Sequence, residues 1–362
     1  MKSTKKQSKF RVFLDKKGIS LSPRVYFVDA MSAMALGLFA SLLMGTIFGT
    51  VAKYIPDGNP ISEFFDLLAG AGGATGAVIG IAIAYALKAP MLVMLSAGVV
   101  GMFGNAYGST LMFEGAAKSV TAGPLGAFVC VLIAVEMGKL VSKATKVDIL
   151  VTPAVTLGTG ALVAMLLCPG IAYLMYWLGY FINYATGLYP LVMGIIISVV
   201  VGIVLTLPIS SAAICAMIGI TGIAGGAAVA GCCAQMVGFA VISFRETKWG
   251  GVVAQGLGTS MLQMGNIVKN PLIWIPATLA SAITGPISTC IFKLECSGVS
   301  AGMGTCGIVG PLGVFTDMGF NTTSIVGVLL VCIVLPAILS LVFSEIMRKL
   351  GWIREGDMKL DL

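Results

Sequence analysis

The stretch from Gln255 to Pro276 places side chains that form hydrogen bonds directly before a strongly apolar run. Within it, Gln263, Asn266 and Asn270 are spaced three and four residues apart, so a helix would align their amides on one face. Because amides both donate and accept hydrogen bonds, such a face suits the lining of a site for a polyhydroxylated or zwitterionic solute. A polar face resting on a membrane surface would show the same spacing, so both interpretations stay open.

Other polar side chains lie in or beside apolar, glycine-rich sequence. Placing a polar group inside a membrane is costly, and such residues are therefore candidates for function. One amide and three hydroxyls join the candidate solute-binding residues on this ground: Thr221, Gln235, Ser300 and Thr305.

Glu295 is the candidate for a carboxylate that couples a solute to H⁺ or Na⁺, or that binds an ammonium group of the solute. It lies in apolar sequence beside a glycine-rich stretch. Its neighbour Lys293 supports a second interpretation, in which Glu295 is a solvated loop acid. Apart from a coupling ion no cofactor is expected, and no catalytic residue is assigned because the sequence shows no pair of nucleophile and base.

The composition indicates the medium in which these residues lie. Of 362 residues, 58% are hydrophobic and only 10% are charged, with a mean hydropathy of +1.01. A soluble domain carries roughly a quarter charged residues, so we predict a polytopic membrane protein whose main partner is the lipid bilayer. Histidine is absent, which excludes imidazole bases and histidine metal ligands. The nine cysteines lie mostly in apolar stretches without a CxxC pair, and we interpret them as buried hydrophobic residues.

Basic residues are concentrated at the N-terminus and in three later loops. Residues 1–24 carry eight Lys or Arg against a single acid. This asymmetry fits a cytoplasmic segment beside an anionic leaflet better than an arm that binds nucleic acid. The later clusters lie at 139–146, 245–248 and 348–359. Under the positive-inside rule the pattern predicts a multi-pass protein with both termini in the cytoplasm.

Stretches of about 20 apolar residues predict the membrane crossings. They lie near 29–52, 67–87, 90–111, 121–141, 151–174, 186–207, 271–292 and 323–346. Two glycine-rich regions, 209–243 and 296–317, are predicted to be re-entrant hairpins, because unpaired backbone at membrane depth must face protein or a watery cavity. The predicted fold is an all-α polytopic membrane protein with about eight to ten transmembrane helices and two re-entrant hairpins.

Several of these stretches together resemble a known family. The run Asn-Pro-Leu-Ile-Trp-Ile-Pro at 270–276 is similar to the Asn-Pro-x-x-x-Ile-Pro element of the membrane subunits (EIIC) of the sugar phosphotransferase system. Gln-Gly-Leu-Gly-Thr-Ser-Met-Leu-Gln at 255–263 and Gly-Met-Gly-Thr-Cys-Gly at 302–307 resemble more closely an EIIC-like subgroup that includes PfoR, named as a toxin regulator. The resemblance extends over residues 20–350.

The resemblance implies a homodimer in the bacterial cytoplasmic membrane, with an elevator-like transport domain and a separate EIIB-like subunit as a partner. It divides the chain into a basic cytoplasmic segment (1–24), a transmembrane domain (25–347) and a cytoplasmic tail (348–362). Within the transmembrane domain, 25–208 would be mainly scaffold, and 209–320 would hold the hairpins and the solute site.

Two departures from the family pattern concern phosphorylation. Family members for sugars carry a glutamate at a hairpin tip, and Gly222 stands in that place in the most similar string of this sequence. These 362 residues also contain no histidine and no domain of the EIIB kind. We therefore predict a transporter of a small polar organic solute, such as a sugar or sugar acid, and leave its coupling to phosphorylation open. A solute-sensing membrane regulator of the PfoR type is the alternative.

Overall fold

The computed structural model describes residues 14, 17–19, 22–53, 55–56, 58–113 and 116–360. Most of the basic segment predicted at 1–24 therefore lies outside the described residues. Within the described part, seven helices are long and apolar enough to cross a membrane. This finding confirms the prediction of a helical, polytopic membrane protein.

The elements are, in chain order, α1 (Val25–Gly49), α2 (Pro60–Ala86), α3 (Met91–Ala106), β1 (Gly108–Phe113), β2 (Ala116–Thr121), α4 (Gly123–Val141), α5 (Asp148–Thr186), α6 (Pro190–Thr206), α7 (Ser211–Ile218), α8 (Gly222–Ile242), α9 (Phe244–Val253), α10 (Met264–Lys269), α11 (Pro271–Phe292), α12 (Gly298–Ala301), α13 (Val309–Met318) and α14 (Thr322–Lys349). The seven helices of membrane-spanning length are α1, α2, α4, α5, α8, α11 and α14. Two shorter apolar helices, α3 and α6, occupy the remaining predicted crossings.

Two of the predicted crossings have different ends in the structure. The run predicted at 90–111 stops being helical at Ala106 and continues into β1. The run predicted at 151–174 continues to Thr186, as part of a helix of 39 residues that is about 58 Å long. Apolar composition locates a helix but not its end, because the residues after 174 are as apolar and aromatic as those before it.

The strands β1 and β2 form an antiparallel hairpin that the sequence analysis did not predict. Gly108 pairs with Thr121 at one end, and Phe113 pairs with Ala116 at the other. A Cβ added at Gly108 would overlap the carbonyl oxygen of Val120, so the strands approach closely where they begin. The hairpin packs along α5 and connects α3 to α4.

Helix α8 lies at the centre of the fold, with 94% of its most apolar stretch buried in the protein. A Cβ added at Gly231 would overlap the carbonyl oxygen of Ser198 on α6. From the other side, the hydroxyl of Ser281 on α11 donates to the carbonyl oxygen of Gly231 at 3.3 Å. The hydroxyl of Ser198 in turn donates to the carbonyl oxygen of Ser281 at 2.8 Å. Three helix backbones are therefore in near contact at Gly231.

The glycine-rich region 209–243 is interrupted between α7 and α8, where Gly219 (φ +64°) and Gly222 (φ +61°) have left-handed backbone. Gly225 and Gly226 counted as helix breakers in the sequence, yet they lie inside α8. Added Cβ atoms there would overlap carbonyl oxygens of the facing segment, so these two glycines serve close packing. As a result α8 is by length and composition able to cross a membrane, and the re-entrant hairpin predicted for 209–243 stays a prediction.

Residues 293–318 run along α12, turn, and return along α13. The two ends meet where the backbone amide of Glu295 donates to Sδ of Met318 at 3.2 Å. We call residues 302–308 the hairpin turn. It contains Ile308 at φ +62°, a conformation that β-branched residues rarely adopt, so the backbone is strained there.

Candidate functional site

Three interruptions of helical structure meet around one small cavity. They are the link between α6 and α7, the turn at 258–260, and the hairpin turn. We call these three segments, with the cavity of about 60 Å³ that they surround, the junction. Its walls from the interruptions include Ile209, Ser210, Ser211, Gly258, Thr259, Met303 and Cys306, and its walls from α1 and α4 are Leu38, Leu42 and Pro124.

The local sequence explains the first two interruptions. Pro208 lacks an amide hydrogen and lies two residues beyond the end of α6, where it prevents the helix from continuing. Thr259 is extended, and its hydroxyl accepts a hydrogen bond from the amide of Met261 at 3.1 Å, which begins a new helical turn. A Cβ added at Gly258 would overlap the ring of Phe39, so the backbone of this turn lies directly against α1.

A buried chain of polar groups runs behind the cavity. The hydroxyls of Thr206 and Ser260 lie 2.8 Å apart, and that of Thr206 also donates to Oε1 of Gln235 at 3.4 Å. The same oxygen accepts from Nε1 of Trp274 at 3.0 Å, while Nε2 of Gln235 donates to the hydroxyl of Thr278 at 3.2 Å. Gln235 is fully buried, and both ends of its amide are occupied by protein. It ties α6, α8 and α11 together, and its predicted contact with solute stays a prediction.

The hairpin turn is fixed by two hydroxyls. Ser211, at the start of α7, donates to the carbonyl oxygen of Gly302 at 2.7 Å. Thr305 is buried within the turn, and its hydroxyl lies 3.6 Å from Sδ of Met236. Thr305 therefore belongs to the junction but does not line the cavity, whereas its neighbour Cys306 does, and its contact with solute stays a prediction.

Three other candidates lie at a different place. Thr221 is exposed at the break before α8, and the carbonyl oxygen of Ile220 beside it accepts from the amide of Gly298 at 2.9 Å. This bond places the break next to the start of α12. Ser300 is part-buried on α12 and Glu295 is exposed just before it, and neither lines the cavity. The exposed position of Glu295 fits the second interpretation, a solvated loop acid, and its role as a coupling carboxylate stays a prediction.

The amides of Gln263, Asn266 and Asn270 do share one face, as their spacing predicts, and that face contacts the chain's own C-terminal residues. Nε2 of Gln263 donates to the carbonyl oxygen of Met358 at 3.0 Å. Nδ2 of Asn266 donates to the carbonyl oxygen of Lys359 at 2.8 Å. The role of these amides in solute binding stays a prediction, since in this structure their donors are directed to protein.

Asn270 makes three polar contacts that define its local role. Its Nδ2 donates to Oδ2 of Asp357 at 2.7 Å and to the carbonyl oxygen of Trp352 at 3.1 Å. Its Oδ1 accepts from the amide of Leu272 at 3.2 Å and so caps the first turn of α11. The side chain therefore joins the start of α11 to the C-terminal residues.

The sequence analysis missed most of the residues that line the junction. Ser210, Ser211, Thr259 and Ser260 are small hydroxyl residues in a chain rich in them, so their type alone carried little information. The usable signal was Pro208 within apolar sequence, which follows the end of α6 and precedes Ser210 and Ser211 by two and three residues. Such a break inside an apolar region requires partners for the freed backbone groups.

The lining of the cavity determines what it can bind. It presents hydroxyls, backbone groups and apolar side chains, and no charged side chain is among the residues that form it. An ionised solute would lose its hydration there without gaining a partner of opposite charge. The lining therefore favours an uncharged ligand over an ionised one.

Apolar helices that break near one another around a small uncharged cavity define a class, the multi-pass membrane proteins that carry solutes through discontinuous helices. A family model described as "Phosphotransferase system, EIIC" matches residues 28–360 of the chain. The chain therefore belongs to this family of membrane components of sugar transport, which confirms the resemblance at the level of the family. Comparison with curated proteins and with solved structures gave no match.

Proposed function

We propose that this protein transports a small, uncharged polar solute, a sugar or a similar polyhydroxylated compound, across the bacterial cytoplasmic membrane through the junction. The observation that carries the proposal is the meeting of three backbone interruptions around a cavity with hydroxyls and no charge. Broken helices supply free backbone donors and acceptors at the place where a polyhydroxylated solute needs them.

The orientation follows from where basic residues lie. Arg245 and Lys248 follow the end of α8, and Arg348 and Lys349 end α14. The part-buried ion pair of Arg348 with Glu246, 3.1 Å apart, places these two helix ends beside each other. Under the positive-inside rule this end is cytoplasmic, and the C-terminus with it. Residues 293–318 then form a re-entrant hairpin that enters and leaves from the opposite side, as its two adjoining ends support.

An elevator movement would take place between two parts of the chain, with 25–208 mainly as scaffold and 209–320 as the moving part. The two buried clusters of apolar residues do not follow this boundary. One joins α5 and α6 to α8, α12 and α13, and the other joins α1 to α4 to residues between 239 and 277. The cavity lies between them, because Leu38 and Pro124 face Ser211 and Met303 across it. The exposed aromatic side chains Tyr173, Trp177, Tyr180 and Tyr184 along α5 offer a surface for the second subunit of a homodimer.

Uptake into proteoliposomes of the purified protein tests the proposal, with a panel of labelled neutral sugars and sugar alcohols and one sugar acid. We expect uptake of a neutral member. Ser211→Ala should weaken its binding roughly tenfold to a hundredfold, because the hydroxyl both faces the cavity and fixes the hairpin turn. Ser96→Ala is the matched control, since that hydroxyl only bonds back to Leu92 within α3.

Three results would count against transport in the junction. Wild-type binding by Ser211→Ala would remove the junction as the site. Exclusive uptake of the sugar acid would contradict the uncharged lining. Binding without any uptake, with or without an EIIB subunit and a phosphoryl donor, would favour the solute-sensing regulator instead.

A further inference from the structure

The C-terminal segment, residues 352–360, is bound to the protein through its backbone. The carbonyl oxygens of Trp352, Met358 and Lys359 accept from Asn270, Gln263 and Asn266, at distances of 3.1, 3.0 and 2.8 Å. Side-chain amides that donate to the backbone carbonyls of a short segment recognise its backbone conformation more than its side chains. A surface of this kind holds a peptide.

Two apolar side chains and one carboxylate complete the attachment. Ile353 and Met358 are 2% and 0% exposed, so both are inserted among the helices of the cytoplasmic end. The amide of Met358 donates to Oε2 of Glu246 at 2.8 Å, while Oε1 of the same carboxylate pairs with Arg348. The residues between the two anchors, 354–356, are exposed. The segment is therefore anchored at Ile353 and Met358, and between these anchors Oδ2 of Asp357 accepts from Nδ2 of Asn270.

The amide of Gln263 also connects the C-terminal segment to a loop at the proposed solute site. Nε2 of Gln263 donates to Oε1 of Gln255 at 3.0 Å, which closes the base of the loop 255–263. Gln255 and Gln263 are both fully buried, and Nε2 of Gln255 continues the chain of bonds to the hydroxyl of Ser243 at 2.8 Å. The loop contains the turn at 258–260, which is one of the three interruptions at the junction. A bound C-terminal segment thus stabilises the loop that forms a wall of the cavity.

We propose that Glu246, Gln263, Asn266 and Asn270 form a peptide-binding surface for residues 352–360, and that binding of this segment to the surface controls how rigidly the junction is held. Release of the segment exposes four hydrogen-bonding side chains to water and loosens loop 255–263. The link to solute rests on the proposed function, whereas the peptide site stands on the contacts alone. The affinity of the junction for solute then depends on whether residues 352–360 are bound.

Hydrogen exchange measured by mass spectrometry on the purified full chain tests the surface without any solute. Truncation after Gly351 should raise the exchange rate of amides in 255–263 on the order of tenfold, because the carbonyl partner of Gln263 is removed. A synthetic peptide of residues 352–362, added to the truncated protein, should restore protection in a saturable way. A scrambled peptide of the same composition should not.

A pair of substitutions avoids truncation. Asp357→Ala removes the carboxylate that accepts from Asn270 and from the amide of Arg354, and should raise exchange in 255–270 severalfold. Glu355→Ala changes an exposed neighbour and should leave it unchanged. Unchanged protection after truncation, or a folded truncated protein that the peptide does not protect, would overturn the peptide site. If protection responds as expected but no sugar is taken up, the proposed function fails and the peptide site stands.

Discussion

Gly231→Ala is expected to destabilise the centre of the fold, although alanine is the better helix former. In an exposed helix the change would add up to about 1 kcal/mol of stability. Here the new methyl group would overlap the carbonyl oxygen of Ser198, which is backbone and cannot rotate away. The helices α6 and α8 must therefore separate.

The size of the loss follows from what that separation disturbs. Overpacking of a close helix contact costs about 1–3 kcal/mol. Separation also stretches the bonds that Ser281 and Ser198 make at this point, each contributing about 1 kcal/mol. If both bonds are lost, subtracting the gain in helix propensity leaves a net loss of about 2–4 kcal/mol.

In the assay, the purified protein is heated in mild detergent, and the fraction that stays folded at each temperature is then measured by size-exclusion chromatography. Gly231→Ala should lower the midpoint by several degrees. Gly158→Ala is the matched control, because Gly158 is also inside a long helix and a Cβ added there meets nothing within 4 Å. A Gly231→Ala protein that melts at or above the wild-type temperature would refute the close contact of these helices.

Three further predictions concern single side chains. A maleimide should react with one cysteine in the native protein in detergent and with all nine after denaturation, because only Cys290 is exposed, and Cys290→Ser should abolish the native reaction. Gln235→Met keeps the volume but leaves Nε1 of Trp274 without its acceptor, so the melting midpoint should fall by an amount equivalent to about 1–3 kcal/mol, and an unchanged midpoint would contradict the buried network. Glu295→Gln should leave uptake responsive to an imposed proton or sodium gradient, since the side chain is exposed, whereas loss of that response would restore the predicted coupling role.

The membrane class and the approximate crossings could be predicted from sequence because each depends on composition over a long window. The local role of glycine could not. Gly219 and Gly222 take left-handed backbone at the break between α7 and α8, while Gly225 and Gly226 lie inside α8. The two pairs differ in their surroundings, because only Gly225 and Gly226 face the backbone of residues 294–296. That facing segment lies about 70 residues later in the chain, so the local sequence does not reveal the difference.

The candidate site shows the same limit for side-chain amides. Helical spacing placed Gln263, Asn266 and Asn270 on one face correctly, since periodicity is a local property. The partner of that face is a segment about 90 residues later, whose exposed stretch 354–356 gives no periodic signal. Likewise the serines of the junction became recognisable only once the hairpin turn was placed beside Pro208.

The central position of α8 has a consequence for biosynthesis. The chain emerges from the ribosome in order, so α8 enters the membrane when α6 is present but before α11 and α14 exist. Its small residues fit helix backbones rather than lipid chains, which leaves the new helix poorly packed until the last helix arrives. Residues Thr322–Lys349 therefore complete the packing around α8, and a nascent chain that stops before α14 would present an unfilled glycine face to the quality-control proteases of the membrane.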